Sequence, residues 1–149
     1  MAKLILSRKG FDSKAGGGGS PILPDGRLIS LPIPGGGCGR RYDAIEWAPG
    51  KTLASLMSEL GIGDPGLAHH DPDLDEAALR RASGWRPLFG QAEKASKHLI
   101  NQGVGPGDIF LFFGRFRRTQ MSAHGIEFTG RSFHVIWGLL EVDEVRDPA

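Results

Sequence analysis

The spacing of apolar positions divides the chain into a few regular segments set between stretches rich in glycine and proline. A short apolar run at residues 4–6 predicts a buried strand, cut off by Arg8 and Lys9. Leu53, Leu56, Met57 and Leu60 recur at helical spacing, with Thr52 placed as an N-cap and Gly61 as a stop. Residues 52–60 are therefore predicted to form a helix. A second helix is expected from Asp73 or Asp75, either of which can cap it, through Ala82 to a stop at Gly84. A third covers residues 91–101, with Gly103 just beyond. Two near-continuous apolar runs follow, at 109–113 and at 133–137, the latter extending into 139–145. Runs of this kind predict strands covered on both faces. The stretch between them, 115–131, carries four arginines, Gln120 and His124 and reads as a long hairpin loop.

Glycine is abundant and clustered, with runs at 16–19 and 35–37. Between them, Pro24, Asp25 and Gly26 signal a turn joining two short apolar runs, and Pro32 and Pro34 confine the second run to an edge or to extended chain. Neither glycine run is followed by Gly-Lys-Ser/Thr, and neither stands at a strand-to-helix junction as a dinucleotide fingerprint requires. They read as plain loops. The functional alternative is bare backbone that lets N–H groups approach a phosphate.

Strands and helices in 149 residues predict one α/β (α+β) domain spanning 1–149. Eighteen basic residues face seventeen acidic ones, a formal charge of +1. That balance lacks the basic excess expected of a protein held on long duplex DNA, and suits a small ligand better. The single cysteine, Cys38, rules out an internal disulfide and a thiolate zinc cluster, and no base stands beside it in sequence. The apolar start is too short for a signal peptide or a membrane span, so a cytoplasmic protein without a membrane partner is expected. No cofactor motif is present, and none is expected to be needed.

Candidate chemistry gathers in two places. Ser7, Arg8, Lys9, Gly10, Phe11, Asp12 and Ser13 follow the first strand. Arg8 and Lys9 suit a phosphate, and Asp12 can accept from a ribose hydroxyl or an exocyclic amine. The alternative is a charged turn in which Asp12 and Ser13 bond their own backbone. His69, His70, Asp71 and Asp73 are the densest group of potential metal ligands, but adjacent histidines without metal spacing argue against an ion. His69 with Asp71 reads instead as a polar lining pair or a general base, with helix capping by Asp71 or Asp73 as the ordinary alternative.

Other positions carry weaker signals. Trp85 and Phe89 offer a stacking face, although at least one is expected in the core. Gln91, opening a helix, can read a base edge. Arg115 and Arg117 would share one face opposite Phe116 if their segment were a strand, where they would suit a phosphate or a nucleic-acid strand. A solvated hairpin is the alternative. His134 is expected to be a satisfied core histidine.

The order Val104-Gly105-Pro106-Gly107-Asp108, apolar strand, loop, then a strand containing Gly138 resembles the core of PUA-like domains, including the ASCH and EVE groups. That resemblance implies a partial β-barrel with two or three flanking helices and an RNA or modified-base ligand. More of the chain resembles the third of the nucleotide modification associated domain families. The likeness rests on Ser7 to Ser13, Ser20 with Pro24-Asp25-Gly26, Leu31-Pro32-Ile33-Pro34, His69 with Asp71-Pro72-Asp73-Leu74, Phe89-Gly90-Gln91, and His98 running into the Gly107-Asp108 turn. Members of that family generally continue beyond the second barrel strand, so the chain is expected to be a minimal member or to lack a carboxy-terminal part. His70 stands where the family pattern has an apolar residue.

The resemblance implies a protein of prokaryotic or phage setting that binds a nucleotide or modified nucleobase, in nucleic-acid modification or phage defence. Ser7, Arg8, Lys9, Asp12, Ser13, Gln91, Arg115 and Arg117 are the expected ligand-binding residues. Single-stranded nucleic acid is a further expected partner, and the oligomeric state stays open. The rival is an enzyme acting on a nucleotide, a hydrolase or transferase, with Asp12 or His69 and Asp71 as general acid and base.

Overall fold

The computed structural model describes residues 1–147. In chain order the strands and helices are β1 (Leu4–Arg8), β2 (Ser20–Ile22), β3 (Pro34–Gly35), β4 (Arg40–Arg41), β5 (Glu46–Ala48), β6 (Lys51–Thr52), α1 (Leu53–Glu59), β7 (Leu67–Ala68), α2 (Glu93–Asn101), β8 (Ile109–Ser122), β9 (Gly125–Phe128) and β10 (Phe133–Glu141). The class is α+β, as read from the sequence, and the sheets do not close into a barrel.

β8 is the spine of the five-stranded main sheet. Along one edge β1 pairs parallel with its first half, Leu4 opposite Ile109 and Arg8 opposite Phe113. Further along the same edge β2 pairs parallel with its second half, Ser20 opposite Phe116. On the other edge β10 runs antiparallel from Phe116 back to Ile109, and β9 pairs with residues 119–122. Residues 9–19 thus leave one edge of the spine and return to it a short distance on. β3, β7 and β4 form a small antiparallel sheet, and β5 with β6 a two-stranded ribbon.

Two apolar clusters organise the interior. Phe11, Leu31, Tyr42, Ile45, Leu53, Met57, Ala68 and Ala78 form one, around α1 and the small strands. Phe110, Phe112 and Val142 form the other, closed by Phe89, Leu99, Val104 and Trp137. α1 forms where its pattern predicts it. The Thr52 hydroxyl accepts from the Ser55 N–H at 3.2 Å, Leu53, Leu56 and Met57 are buried, and Gly61 takes a φ of +73°. α2 begins two residues later than predicted and ends at Asn101, with Gly103 at a φ of +65°.

Four expectations are corrected. The stretch 115–131 is not a loop: β8 continues to Ser122 and β9 follows after a tight turn, because β2 and β9 supply partners for the far half of the spine. No helix covers 73–82. Asp75 does cap, accepting from the Ala77 N–H at 2.9 Å, but only a single 3-10 turn at Glu76–Ala78 forms. Asp73 is held in extended chain by paired backbone bonds with Leu88, each 2.9 Å. β1 is an edge strand with Leu4 and Leu6 exposed rather than a buried one. Nor is the sheet covered on both faces: Ile136 and Leu139 of β10 share the open face with them, while Phe110, Phe112 and Phe116 fill the covered one.

Candidate functional site

Where β1 ends, the chain bends across the sheet. The Lys9 N–H still donates to the Phe113 carbonyl at 2.8 Å, and the Lys9 carbonyl then passes directly over Gly114. A Cβ at position 114 would lie 2.4 Å from that oxygen, so only glycine lets the chain leave here. Gly10, at a φ of +99°, completes the bend, and Phe11 is anchored by donating its N–H to the Leu31 carbonyl at 2.9 Å while its ring is buried. Lys9 is thereby set with its ammonium 4.8 Å over the Phe89 ring and 3.8 Å from Oδ2 of Asp71.

Asp71 lies on the segment after β7, which paired bonds between Asp73 and Leu88 hold in place. Its Oδ1 accepts from the Gly90 N–H at 2.7 Å, and His69 Nε2 lies 3.9 Å from Oδ2. Burial pushes this carboxyl above the usual aspartate value, against the opposing pull of the Gly90 N–H and of Lys9, His69 and His70. His70 turns the other way, its Nε2 3.1 Å from Oδ1 of Asp73, which Arg81 grips through two bonds of 2.6 Å. Burial lowers the His70 pKa although Asp73 works to raise it. His70, Asp73 and Arg81 therefore form a structural lock behind the segment that presents Asp71.

Lys9 and Asp71 line a cleft of about 620 Å³ at the junction of the two apolar clusters. Trp47, Ile45 and Leu53 form one wall, and Leu74, Trp137 and Gly138 the other. Trp137 is the bulged residue of β10, where the pairing slips between Ile136 and Gly138. The indole N–H groups of Trp47 and Trp137 are both buried and have no acceptor among the described residues. Such donors are costly to leave unmade and call for an explanation. Arg27 and Lys51 lie over the Trp47 ring at 5.2 and 5.3 Å. The volume is within the range typical of small-ligand sites, about 300–1,000 Å³.

A family model described as nucleotide modification associated domain 3 matches residues 3–149. The chain belongs to that family. No curated protein and no solved structure matches it. Membership in the nucleotide modification associated domain 3 family ties the chain to a nucleotide-modification context, and the cleft is the place in this member where a buried carboxylate, a cation and aromatic walls meet.

The other positions singled out in the sequence are placed as follows. Gln91 follows Gly90, whose N–H bonds Asp71, but it is not among the residues that line the cleft. Ser7, on β1 opposite Phe112, is half-buried. Arg8 is 3.4 Å from Asp12, and the Asp12 carboxylate accepts from the N–H groups of Lys14 and Ala15 at 2.8 and 2.7 Å. Those bonds, the Ala15 one foremost, hold its pKa below the usual value. Ser13, Arg115 and Arg117 line a second cleft instead. Phe89 is a core ring, edge-on to Phe110 and Phe112 at 5.0 Å each. His134 is exposed on the open face rather than buried, with its ring 6.0 Å from that of Phe113.

The sequence pattern alone does not mark Trp47 or Trp137 as site residues. Trp47 beside the Pro49-Gly50 turn offered a signal, an aromatic on a short hairpin near charge, whereas the bulge that redirects Trp137 has no local signature. Among the described residues no group of three or more His, Cys, Asp or Glu is arranged to hold a metal ion, and no helix is long and apolar enough to cross a membrane.

Proposed function

We propose that this member of the nucleotide modification associated domain 3 family binds a nucleotide or modified nucleobase in the Lys9–Asp71 cleft. The observation that carries the reading is the placing of a partly buried lysine–carboxylate pair at the wall of an aromatic cavity. An ionised Asp71 accepts from an exocyclic amine or ring N–H, and Lys9 neutralises a phosphate or polarises a keto oxygen. The rings of Trp47 and Trp137 supply aromatic surface to the same walls. Gln91, the residue after Gly90, extends the contact to a base edge in this reading. The Gly107–Asp108 turn leading into β8 supports kinship with PUA-like modules, and the setting we infer is the cytoplasm of a prokaryote or its phage.

A second reading is favoured by one observation. A carboxyl with a raised pKa, 3.9 Å from an exposed histidine, is the arrangement a general acid requires. In that reading Asp71 and His69 transform the nucleotide rather than hold it. Asp12 takes the part of turn former, since its carboxylate is occupied by its own backbone.

A thermal-shift screen against mono-, di-, cyclic and base-modified nucleotides, with mass spectrometry of each mixture, tests both. A rise in Tm that disappears in Lys9→Gln and in Asp71→Asn, with the nucleotide returned unchanged, is the expected result. A converted nucleotide whose conversion is lost in Asp71→Asn establishes the enzyme. Indifference to every nucleotide overturns the small-ligand reading.

A further inference from the structure

A second cleft, of about 640 Å³, opens where residues 9–19 loop away from β8. Arg115 and Arg117 are two apart on β8 and so project on one face, while Phe116 between them is buried on the other. Each is pinned by a single bond to the segment joining β9 to β10. Arg115 Nε donates to the Ser132 hydroxyl at 2.6 Å, and Arg117 Nε to the Gly130 carbonyl at 2.7 Å. The Arg117 guanidinium also rests 5.4 Å from the centre of the Phe128 ring. Arg131, between the two anchoring residues, lines the same cleft and is exposed.

The charge pattern around these arginines is one-sided. Arg8, Arg27, Arg41, Arg81, Arg86 and Arg146 each lie beside a carboxylate. Arg115, Arg117 and Arg131, like Arg40, Arg80 and Arg118, pair with none among the described residues, and no Asp or Glu lines the cleft. Three like charges lining one cleft repel one another, yet two of the side chains are fixed there by hydrogen bonds through Nε alone. Their terminal N–H groups, the fork that matches the oxygens of a phosphate, have no acceptor among the described residues.

The facing wall is the 16–19 glycine run. Its bareness serves packing and space rather than N–H donation. The Gly17 and Gly18 N–H groups already donate to the Asp12 carbonyl, at 3.1 and 3.0 Å. A Cβ on Gly16 would lie 2.4 Å from the Phe11 ring, and one on Gly19 would lie 3.1 Å from the Arg115 carbonyl. Beyond Gly17 and Gly18 there is open space. The loop thus stays slim enough to keep the cleft open, and the arginines provide its chemistry.

We infer that this cleft is a phosphate-binding site, separate from the Lys9–Asp71 cleft and independent of what that cleft binds. Arg115, Arg117 and Arg131 take the phosphate oxygens. Two sources share that chemistry: the polyphosphate of a free nucleotide and the phosphodiester backbone of a single strand.

The test uses the full chain with two probes, inorganic tripolyphosphate followed by calorimetry and a short fluorescein-labelled oligothymidylate followed by anisotropy. At low salt at least one probe is expected to bind, and Arg115→Gln with Arg117→Gln is expected to weaken it by about tenfold or more. Arg131→Gln, which removes no hydrogen bond within the fold, should weaken it as well without changing the unfolding transition of the free protein. Arg80→Gln, an exposed arginine outside the cleft, should change nothing.

If the oligothymidylate binds, a log–log salt slope near −2 for three contacts, at about −0.7 per phosphate, assigns the site to a strand backbone. Tripolyphosphate binding without oligothymidylate binding assigns it to a free polyphosphate. Binding of neither probe, or binding undiminished in both the double variant and Arg131→Gln, overturns the inference. Tripolyphosphate binding that is lost in Lys9→Gln yet kept in the double arginine variant and in Arg131→Gln belongs to the first cleft and overturns the inference; the reverse pattern supports it.

Discussion

Lys9 and Asp71, far apart in sequence, meet with 3.8 Å between Nζ and Oδ2, the carboxylate largely buried and the ammonium resting over Phe89. The pair is not optimised for stability. Burial raises the Asp71 pKa even with Lys9 beside it, so keeping the carboxylate ionised costs the folded state.

That cost has a sign that can be measured. Unfolded, Asp71 titrates near 3.8; folded, it titrates higher. Between those values the native state holds more protons, so its stability falls as pH rises, and the full penalty remains at neutral pH. Asp71→Asn removes the charge and keeps an oxygen for the Gly90 N–H. Its Tm at neutral pH is expected to equal or exceed that of the parent, with the advantage vanishing below pH 3.8, while nucleotide binding falls by about tenfold or more. Calorimetry across pH checks it. A clear loss of stability at neutral pH would make the carboxylate a structural element instead.

His70 should show the opposite dependence. Its folded pKa lies below 6.5 because burial disfavours the imidazolium. The unfolded chain therefore takes up the proton first. The contribution to stability is complete above pH 6.5 and is lost as pH falls below it toward the folded pKa. His70→Gln, neutral throughout and able to donate to Asp73, is expected to gain on the parent as pH drops through that window. Paired melting curves at neutral and mildly acidic pH decide it. Parallel curves would show that His70 titrates as it does in the unfolded chain.

The lock behind Asp71 should behave as a buried ion pair. Arg81 makes two 2.6 Å bonds to Asp73, a third of 2.6 Å to the Asp75 carbonyl, and stacks 3.9 Å from the Trp85 ring. Arg81→Met strands the Asp73 carboxylate in the interior and is expected to cost about 3–5 kcal/mol. Asp73→Asn with Arg81→Met should cost less than the sum of the singles, since neither change then leaves an unpaired charge. Denaturant unfolding of the two singles and the double closes this cycle, and strict additivity would mean that the pair is uncoupled.

Part of this was legible in the chain itself. α1 announces itself because Thr52, its apolar stripe and Gly61 all act within one short segment. The β8 strand is visible only to Phe113 as an apolar run, since Arg115 and Arg117 break the run; the alternation of Phe112, Gly114 and Phe116 against them continues it. Lys9 and Asp71 each read as candidate chemistry, but nothing local in the chain joins them. Their meeting depends on the bend over Gly114 and on the Asp73–Leu88 pairing. The same pairing defeats the helix that the 73–82 pattern favours, a long-range interaction overriding local propensity. Trp137 enters the cleft through a bulge set by strand register, which the order of residues does not display.

Gly114 provides the sharpest test of how the site is assembled. It lies mid-strand on β8, and its hydrogen would become a methyl group 2.4 Å from the Lys9 carbonyl and 3.5 Å from the Trp137 indole nitrogen. The neighbour that must yield is backbone, at the point where the chain turns off the sheet to deliver Lys9. Gly114→Ala is therefore expected to destabilise the protein by about 1–3 kcal/mol through overpacking. Its effect on the Lys9–Asp71 cleft should exceed its effect on the arginine cleft, because Lys9 is displaced while Arg115 and Arg117, anchored at Ser132 and Gly130, project from the opposite face of β8. Nucleotide and tripolyphosphate titrations of the folded variant separate the two. Equal losses at both clefts would indicate a general loosening of β8, and no loss at either would mean that the chain can leave the sheet without crossing so close to Gly114.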